Sequence, residues 1–244
     1  LKGEKFHPWL ERKPIQLTIL ATVAILIGGI IQIVPTIMVK SNIPTITSVK
    51  PYTPLELEGR DLYIREGCVG CHSQMVRPFR SEVERYGPQG KAGEFVYDHP
   101  FLWGSKRTGP DLLRVGGKYN DNWHFNHFWD PQAVSKGSIM PGYKWLFDNE
   151  AMDISMTQKK MEAMKTLGVP YSDEQIANGQ KDLRTQALKI EESLKSDPDF
   201  VKSYDESKKK VEARGVKFVP MNEREIVALI AYIQRLGTDI KVKD

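Results

Sequence analysis

The sequence has little of several features, and each shortage excludes a class of protein. Two cysteines in 244 residues are too few for a disulfide framework. The formal net charge is only +4, with basic residues interspersed among acidic ones, so the chain lacks the basic face of a nucleic-acid-binding protein. A mean hydropathy of −0.42 excludes a polytopic membrane protein, but it does not exclude a single span. No stretch alternates apolar and polar residues as a half-buried strand would, so the expected fold is all-α.

One long uncharged run stands near the N-terminus. No charged residue lies between Pro14 and Val39, and Lys13 and Lys40 flank the run. At about 1.5 Å per residue it can cross a hydrocarbon core of about 30 Å. The alternatives are a buried core helix or a signal-peptide core, but a signal core is about 7–15 residues long and precedes a small-residue cleavage site. The run therefore predicts one transmembrane helix over residues 14–40.

Basic residues are denser before this run than after it, which predicts an orientation. The residues before it are Lys2, Lys5, Arg12 and Lys13, and those that follow are Lys40, Lys50 and Arg60. By the positive-inside rule, residues 1–13 are expected in the cytoplasm and the rest of the chain outside it. In a bacterium this is an inner-membrane protein with a periplasmic domain.

The remaining chain divides by composition. Residues 41–52 are rich in Pro, Thr and Ser and are expected to form a linker. Residues 53–149 are expected to form the functional domain, starting with a helix that has a Thr53–Glu56 capping box, Pro54 at its first position and Gly67 after its end.

Residues 150–220 carry many charges of both signs and predict a charged helical insertion. Its apolar stripe, formed by Leu183, Ala187, Ile190 and Leu194, is thin, so we expect the insertion to be peripheral. The methionines between 152 and 164 are interpreted as core packing rather than a partner surface. Residues 221–244 predict the last helix of the functional domain, capped by Asn222 and Glu225.

Both cysteines belong to one motif, Cys68-Val69-Gly70-Cys71-His72. Cys-x-x-Cys-His is the attachment sequence of c-type haem. The two thiols can add to the two vinyl groups of one haem, which places the adjacent histidine under the iron as its proximal ligand. Three alternatives compete: a structural disulfide, a thioredoxin-type dithiol, which needs a βαβ unit, and a zinc site, which needs further ligands.

The second axial ligand of the iron is expected far from the motif. Met140 is the favoured residue, because it lies in a loop where Pro141 stiffens the approach. His99 and His127 are the alternatives. Met75 is too close to the motif to reach the opposite face, and the methionines of 152–164 belong to the insertion.

Other residues are candidates for contacts to the haem or its ligands. A ligating histidine donates its second ring N–H to a fixed acceptor, and the Pro110 carbonyl in segment 108–112 is the best candidate. Trp103 is a candidate to pair with the haem propionates. Arginines that could pair with the haem propionates are Arg77, Arg80 and Arg107.

Three segments carry a family resemblance: YIREGCVGCHSQMVRPFRSEVERYG, YDHPFLWGSKRTGPDLLRVGGKY and SIMPGYKWL. They resemble the mono-haem subunit II of cbb3-type cytochrome c oxidases, the C-family haem–copper oxidases of bacteria. The resemblance implies a class I cytochrome c fold on one transmembrane helix, with haem c attached at Cys68 and Cys71 and ligated by His72 and Met140. The charged stretch after Tyr171 is longer than that family leads us to expect.

The resemblance also implies a role and partners. Such a subunit relays electrons from a multi-haem cytochrome c subunit to haem b in the catalytic haem–copper subunit, which reduces oxygen to water; this chain itself has no oxygen-reducing site. The alternatives are the cytochrome subunit of a nitric oxide reductase and a haem-based sensor. The segment from Asp98 to Leu112 argues against the reductase, and Met140 argues against a sensor with an open sixth position.

Overall fold

The computed structural model describes residues 6–39, 41 and 43–241, and these residues contain helices and no strand. The all-α expectation is therefore confirmed for this part of the chain. The chain divides into two compact units, Leu1–Pro44 and Thr45–Asp244.

The first unit contains a short helix, α1 (Phe6–Glu11), and a long one, α2 (Pro14–Met38). Its 25-residue second helix is apolar and unburied, and it is long enough to cross a membrane. The hydroxyls of Thr18 and Thr36 each donate to a backbone carbonyl four residues earlier, at 2.8 Å, so these polar groups are satisfied within the helix. Lys2, Lys5 and Lys40, which contribute to the predicted orientation, lie outside the described residues.

The second unit contains nine further α-helices among its described residues. They are α3 (Pro54–Arg65), α4 (Arg80–Tyr86), α5 (Asp121–Trp129), α6 (Pro131–Val134), α7 (Thr157–Thr166), α8 (Asp173–Ala177), α9 (Gly179–Leu194), α10 (Pro198–Glu212) and α11 (Glu225–Arg235). Short 3-10 helices occupy Cys68–Gly70, Ala92–Phe95, Lys144–Phe147, Met221–Glu223 and Asp239–Lys241.

The centre of this unit is the crossing of α3 and α11. Every residue from Ile226 to Ile233 is buried. A Cβ at Gly59 of α3 would lie 1.9 Å from the Ala228 carbonyl oxygen of α11, so glycine allows the two backbones to touch. One turn later the rings of Tyr63 and Tyr232 pack with centroids 5.4 Å apart. This crossing fixes the direction in which α3 leads into the Cys-x-x-Cys-His motif.

The ends of these two helices are held in different ways. The predicted capping box of α3 is present, because the Thr53 hydroxyl accepts from the Glu56 N–H and the Glu56 carboxylate accepts from the Thr53 N–H. The predicted Asn222–Glu225 cap of α11 is wrong. Arg224 stands at the N-cap without a side-chain cap, and its buried guanidinium donates instead to the carbonyls of Phe147 and Val219.

The charged segment is not peripheral, which corrects the expectation from its thin stripe. Leu183, Ala187 and Leu194 of α9 are at most 2% exposed and belong to the same core cluster as α11. Buried Glu191 accepts from the Asn222 N–H at 3.1 Å and from the Tyr204 hydroxyl at 3.2 Å, which joins α9, α10 and the segment before α11. The predicted face is the one that packs, but it packs into the core.

Of the four methionines between 152 and 164 that were expected in the core, the two on α7 are buried, whereas Met152 is half-buried and Met156 is 47% exposed. Met161 and Met164 are buried in a second cluster with Leu57, Val169, Tyr171 and Ile176. Buried Glu58 of α3 accepts from the Thr157 hydroxyl at 2.6 Å and from the Lys160 ammonium at 2.5 Å. Helix α7 thus packs on α3, and α9 also contacts α3 through Gln186, which donates to Glu56 at 3.4 Å.

Candidate haem-binding site

The Cys-x-x-Cys-His motif follows α3 through one tight turn. Gly67 adopts a positive φ of 70°, which a glycine reaches without a steric penalty. Cys68–Gly70 then form a 3-10 turn, and the N–H groups of Cys71 and His72 donate to the Cys68 carbonyl at 3.1 and 2.9 Å. The turn places the two thiols and the imidazole on one compact element.

The two thiols have different surroundings. Cys68 is buried and Cys71 is exposed, and the two are not joined by a disulfide. Burial raises the pKa of the Cys68 thiol to about 12. Cys68 therefore faces the core with its proton on sulfur, while Cys71 lies at the edge of the site.

His72 is oriented by the residue that the sequence predicted. Its Nδ1 lies 2.8 Å from the Pro110 carbonyl oxygen, so Nδ1–H donates there. No described residue is hydrogen-bonded to Nε2, whose lone pair this tautomer leaves free. The pKa of His72 is lowered chiefly by burial, against the opposing effects of the Pro110 hydrogen bond and Asp111. A neutral imidazole with a fixed tautomer is the form that binds iron.

The segment that carries Pro110 lies directly against the motif. The Gly109 N–H donates to the Cys71 carbonyl and the Leu112 N–H to the Ser73 carbonyl, at 2.9 and 2.8 Å. A Cβ at Gly109 would lie 2.3 Å from Cε1 of His72. Glycine at this position is what allows the backbone to lie against the imidazole.

A buried carboxylate locks this arrangement, and sequence reasoning gave it no role. Asp111 accepts from the Ser73 hydroxyl at 2.6 Å and from the N–H groups of Met75 and Leu113, both at 2.9 Å. Arg107 donates to Asp111 at 3.2 Å and pairs with Glu82 at 2.7 Å. The signal in the sequence was an acidic residue directly after the Gly-Pro that contacts His72.

The residues expected to pair with the haem propionates have the following partners within the chain. Arg107 is engaged by two carboxylates. Arg77 lies 3.8 Å from Glu82, and Arg80 pairs with Glu84 on the exposed face of α4. Trp103 is 37% exposed and stacks on Phe101, with centroids 4.6 Å apart. Its carbonyl accepts from the Gln74 N–H at 2.8 Å, so its link to the motif is through the backbone.

The segment around Met140 is held against the end of α5. The Tyr143 N–H donates to the Phe128 carbonyl at 2.8 Å, and a Cβ at Gly142 would lie 2.6 Å from the Trp129 carbonyl oxygen. Met140 is half-buried against the core cluster that includes Cys68. The Trp145 Nε1–H donates to the Glu66 carboxylate at 2.9 Å, so this segment lies close to the end of α3 that leads into the motif.

His99 and His127, the alternative candidates for the second axial ligand, lie in different parts of the unit. The His99 carbonyl accepts from Arg60 at 3.1 Å, and Arg60 faces buried Asp98. His127 lies on α5, and its pKa is lowered by burial and then by the nearby His72. The next residue, Phe128, accepts from the Tyr143 N–H at 2.8 Å, so His127 is the one of the two that adjoins the segment of Met140.

The residues present fit a haem better than the alternatives. His72 presents a free Nε2, Gly109 makes room for its ring, and Met140 packs against the core cluster that includes Cys68. The described residues contain neither the strand of a dithiol oxidoreductase fold nor a group of three or more His, Cys, Asp or Glu side chains that could hold a metal ion.

Comparison with known proteins gives the family. Residues 7–240 match the family model described as cytochrome c oxidase, mono-heme subunit/FixO. The chain belongs to this family, whose members are mono-haem cytochrome c subunits of cbb3-type oxidases. No curated protein matches the chain.

Proposed function

We propose that this chain carries one covalently attached haem c and relays electrons within its oxidase. The donor is a multi-haem cytochrome c subunit, and the acceptor is haem b of the catalytic haem–copper subunit, where oxygen is reduced to water. The observation that carries the proposal is the 2.8 Å contact from His72 Nδ1 to the Pro110 carbonyl oxygen, which prepares the histidine of a Cys-x-x-Cys-His motif for iron.

Four side chains would hold the group. Cys68 and Cys71 would form the two thioethers, and His72 and Met140 would be the axial ligands. The haem would supply reversible one-electron chemistry at a potential that His/Met ligation raises relative to bis-His ligation. Pro110 and Gly109 position the imidazole, and Trp103 is a candidate partner of the haem propionates.

The difference in burial between the two cysteines supports a relay. Buried Cys68 is in the core cluster, which keeps water from that side of the site. Exposed Cys71 marks the side on which the haem would come near the surface. An electron carrier needs this combination, because a dry interior raises the potential while an accessible edge permits transfer to a partner.

The long apolar helix supports the membrane location of the proposal. Residues 14–38 would anchor the chain in a bacterial inner membrane, with the N-terminus in the cytoplasm and the haem domain in the periplasm. Residues 41–52 would then be the linker, 53–149 and 221–244 the haem domain, and 150–220 an insertion whose helices pack on that domain.

Replacing both cysteines tests the proposal. The full chain with Cys68→Ser and Cys71→Ser is expected to lose the haem that stays bound through denaturing electrophoresis, because serine cannot form a thioether. The measurement is haem-dependent peroxidase staining of the gel, with detection of the polypeptide itself as the control. Haem staining of the double variant at the wild-type level would disprove attachment at these residues.

Co-purification of wild type with catalytic oxidase subunits tests the relay role, and a wild-type chain that isolates alone from native membranes would contradict it.

A further inference from the structure

Two backbone hydrogen bonds lie on either side of the contact from His72 to the Pro110 carbonyl. They are 2.9 and 2.8 Å long and join residues 71–73 to residues 109–112. A proline has no N–H, so Pro110 adds no backbone donor to this set. The direction of its carbonyl therefore depends on the residues beside it, and that direction decides how well His72 Nδ1–H donates.

One side chain of the segment after the motif adds a further bond between the same two segments. The Ser73 hydroxyl donates to Asp111 Oδ2 at 2.6 Å and accepts from Arg107 Nε at 2.5 Å. Ser73 is 1% exposed and Asp111 is 6% exposed, so solvent hardly competes for this bond. Ser73 directly follows His72, and Asp111 directly follows Pro110. The hydroxyl therefore joins the residue next to the imidazole to the residue next to its acceptor.

The carboxylate that receives this bond is itself held by the backbone. Asp111 Oδ2 also accepts from the Met75 N–H, and Oδ1 accepts from the Leu113 N–H, both at 2.9 Å. Removing Asp111 would break all these bonds at once, whereas removing the Ser73 hydroxyl leaves the two backbone bonds of the carboxylate in place. Ser73 is therefore the position at which the link between the two segments can be weakened without removing the carboxylate.

We propose that Ser73 is a positioning residue of the haem site, whose hydroxyl keeps the Pro110 carbonyl in line with His72 Nδ1–H and thereby lowers the reduction potential. The inference rests on the proposed haem site. A hydrogen bond from Nδ1–H to a fixed acceptor raises the basicity of the ligating imidazole. A more basic ligand favours ferric over ferrous iron, so the potential falls. Ser73 acts through Asp111 and Pro110 and does not itself bind the iron.

Two substitutions of Ser73 in the full haem-loaded chain test this. Ser73→Ala removes the hydroxyl and leaves the backbone bonds, whereas Ser73→Thr keeps a hydroxyl. Ser105→Ala is the matched control, because Ser105 is an exposed serine of the same unit. The reduction potential is measured by redox titration of the haem absorption. The expected result is covalent haem in all three variants, a higher potential in Ser73→Ala and the wild-type potential in the other two.

The Nδ1 proton of His72 gives a second measurement, which a loss of stability alone would not change. In nuclear magnetic resonance spectra of the reduced, diamagnetic protein, this proton is expected to move upfield in Ser73→Ala, because its hydrogen bond is weaker. The near-infrared sulfur-to-iron band of the oxidised form is expected to remain, since the substitution leaves Met140 unchanged. A merely structural serine would lower the free energy of unfolding and leave the potential and the proton as in wild type.

Several outcomes would overturn the proposal. An unchanged potential and an unchanged His72 proton in Ser73→Ala would show that the hydroxyl does not act on the imidazole. The same changes in Ser73→Thr as in Ser73→Ala would show that the hydroxyl is not their cause. If Ser73→Ala does not fold, the wild type decides: rapid exchange of the Nδ1 proton with solvent would contradict a fixed acceptor, and slow exchange would support it. Absence of covalent haem from the wild type would instead refute the proposed function.

Discussion

At the scale of single residues, the geometry of the site depends on the candidate ligands and also on the residues that orient them. Cys68, Cys71 and His72 are one local motif, but the tautomer of His72 depends on Pro110, far along the chain. Pro110 is in turn held by its neighbour Asp111. The Asp111 carboxylate accepts from the Ser73 hydroxyl and from the Met75 N–H in the segment after the motif. The geometry of the proximal histidine therefore rests on a buried charge network.

The ion pair between Arg107 and Glu82 is expected to make stability depend on pH. Hydrogen bonding from Arg107 lowers the pKa of Glu82 to about 2. A carboxylate with a depressed folded-state pKa contributes stability that is fully present above its unfolded value, about 4.3, and that is lost as pH falls toward 2. Wild type should therefore be more stable than Glu82→Gln at neutral pH, and the difference should vanish near pH 2.

Denaturant unfolding of the full chain in detergent at several pH values measures this difference. Glu84→Gln is the matched control, since Glu84 makes an exposed pair with Arg80. Exposed pairs contribute about 0–1 kcal/mol, so the control is expected to show little difference at any pH. A Glu82→Gln effect of the same size at pH 7 and pH 2 would show that the charge on Glu82 is not its cause.

The sequence predicted the structural features that depend on residues close together in the chain. The motif, the Thr53 cap and the turn at Gly67 can each be identified within a few positions, and each is present. The Pro110 contact was also predicted, because a ligating histidine needs an acceptor. The pair of Arg107 with Glu82 was not predicted, because the two residues are 25 positions apart and only the fold brings them together.

At the scale of helices, the packing of the charged segment is another feature that the sequence pattern predicted only in part. The stripe on α9 looked thin because it contains Ala187, which buries little surface of its own. Ala187 is nonetheless 0% exposed, since a small side chain lets α9 approach its neighbours closely. Periodicity identified the buried face correctly, but not how deeply that face would pack.

Two leucines of α9 test whether this segment is structural. Leu183 is 2% exposed and Leu188 is 49% exposed, so they share a helix and a residue type but differ in burial. Leu183→Ala is expected to lower the free energy of unfolding by about 2–5 kcal/mol through lost burial and a cavity. Leu188→Ala is expected to change it by no more than about 0.5 kcal/mol.

Tryptophan fluorescence during denaturant unfolding of the full chain measures both leucine variants. Equal, small effects would return the segment to a peripheral position. The same packing also predicts the effect of deleting the segment. Replacing residues 178–216 by a short linker should expose the core faces of α3 and α11 and unfold the haem domain, rather than preserve its spectrum.

At the scale of the whole molecule, both units of this FixO-family chain fit the function proposed above. A helix of membrane length and a compact helical unit with a Cys-x-x-Cys-His site are the parts that a membrane-bound mono-haem subunit needs. Anchoring would confine the haem domain to the membrane plane, where a partner in the same complex meets it at high effective concentration. A relay built this way needs no strong charge of one sign to attract a diffusing carrier, consistent with the net charge of +4.

The orientation of the anchor is the last prediction, and it follows from charge. Basic residues are concentrated before residue 14, so a reporter that works only in the periplasm should be active when fused after residue 50. A cytoplasmic reporter fused at the same point should be inactive, and the pair of fusions controls for expression. The opposite pattern would place the site in the cytoplasm, where thiols are kept reduced and the proposed periplasmic relay could not operate. Moving the flanking charge tests the cause: neutralising Arg12 and Lys13 while adding lysines after residue 41 should increase the fraction of inverted chains, whereas the same lysines placed well beyond the linker should not.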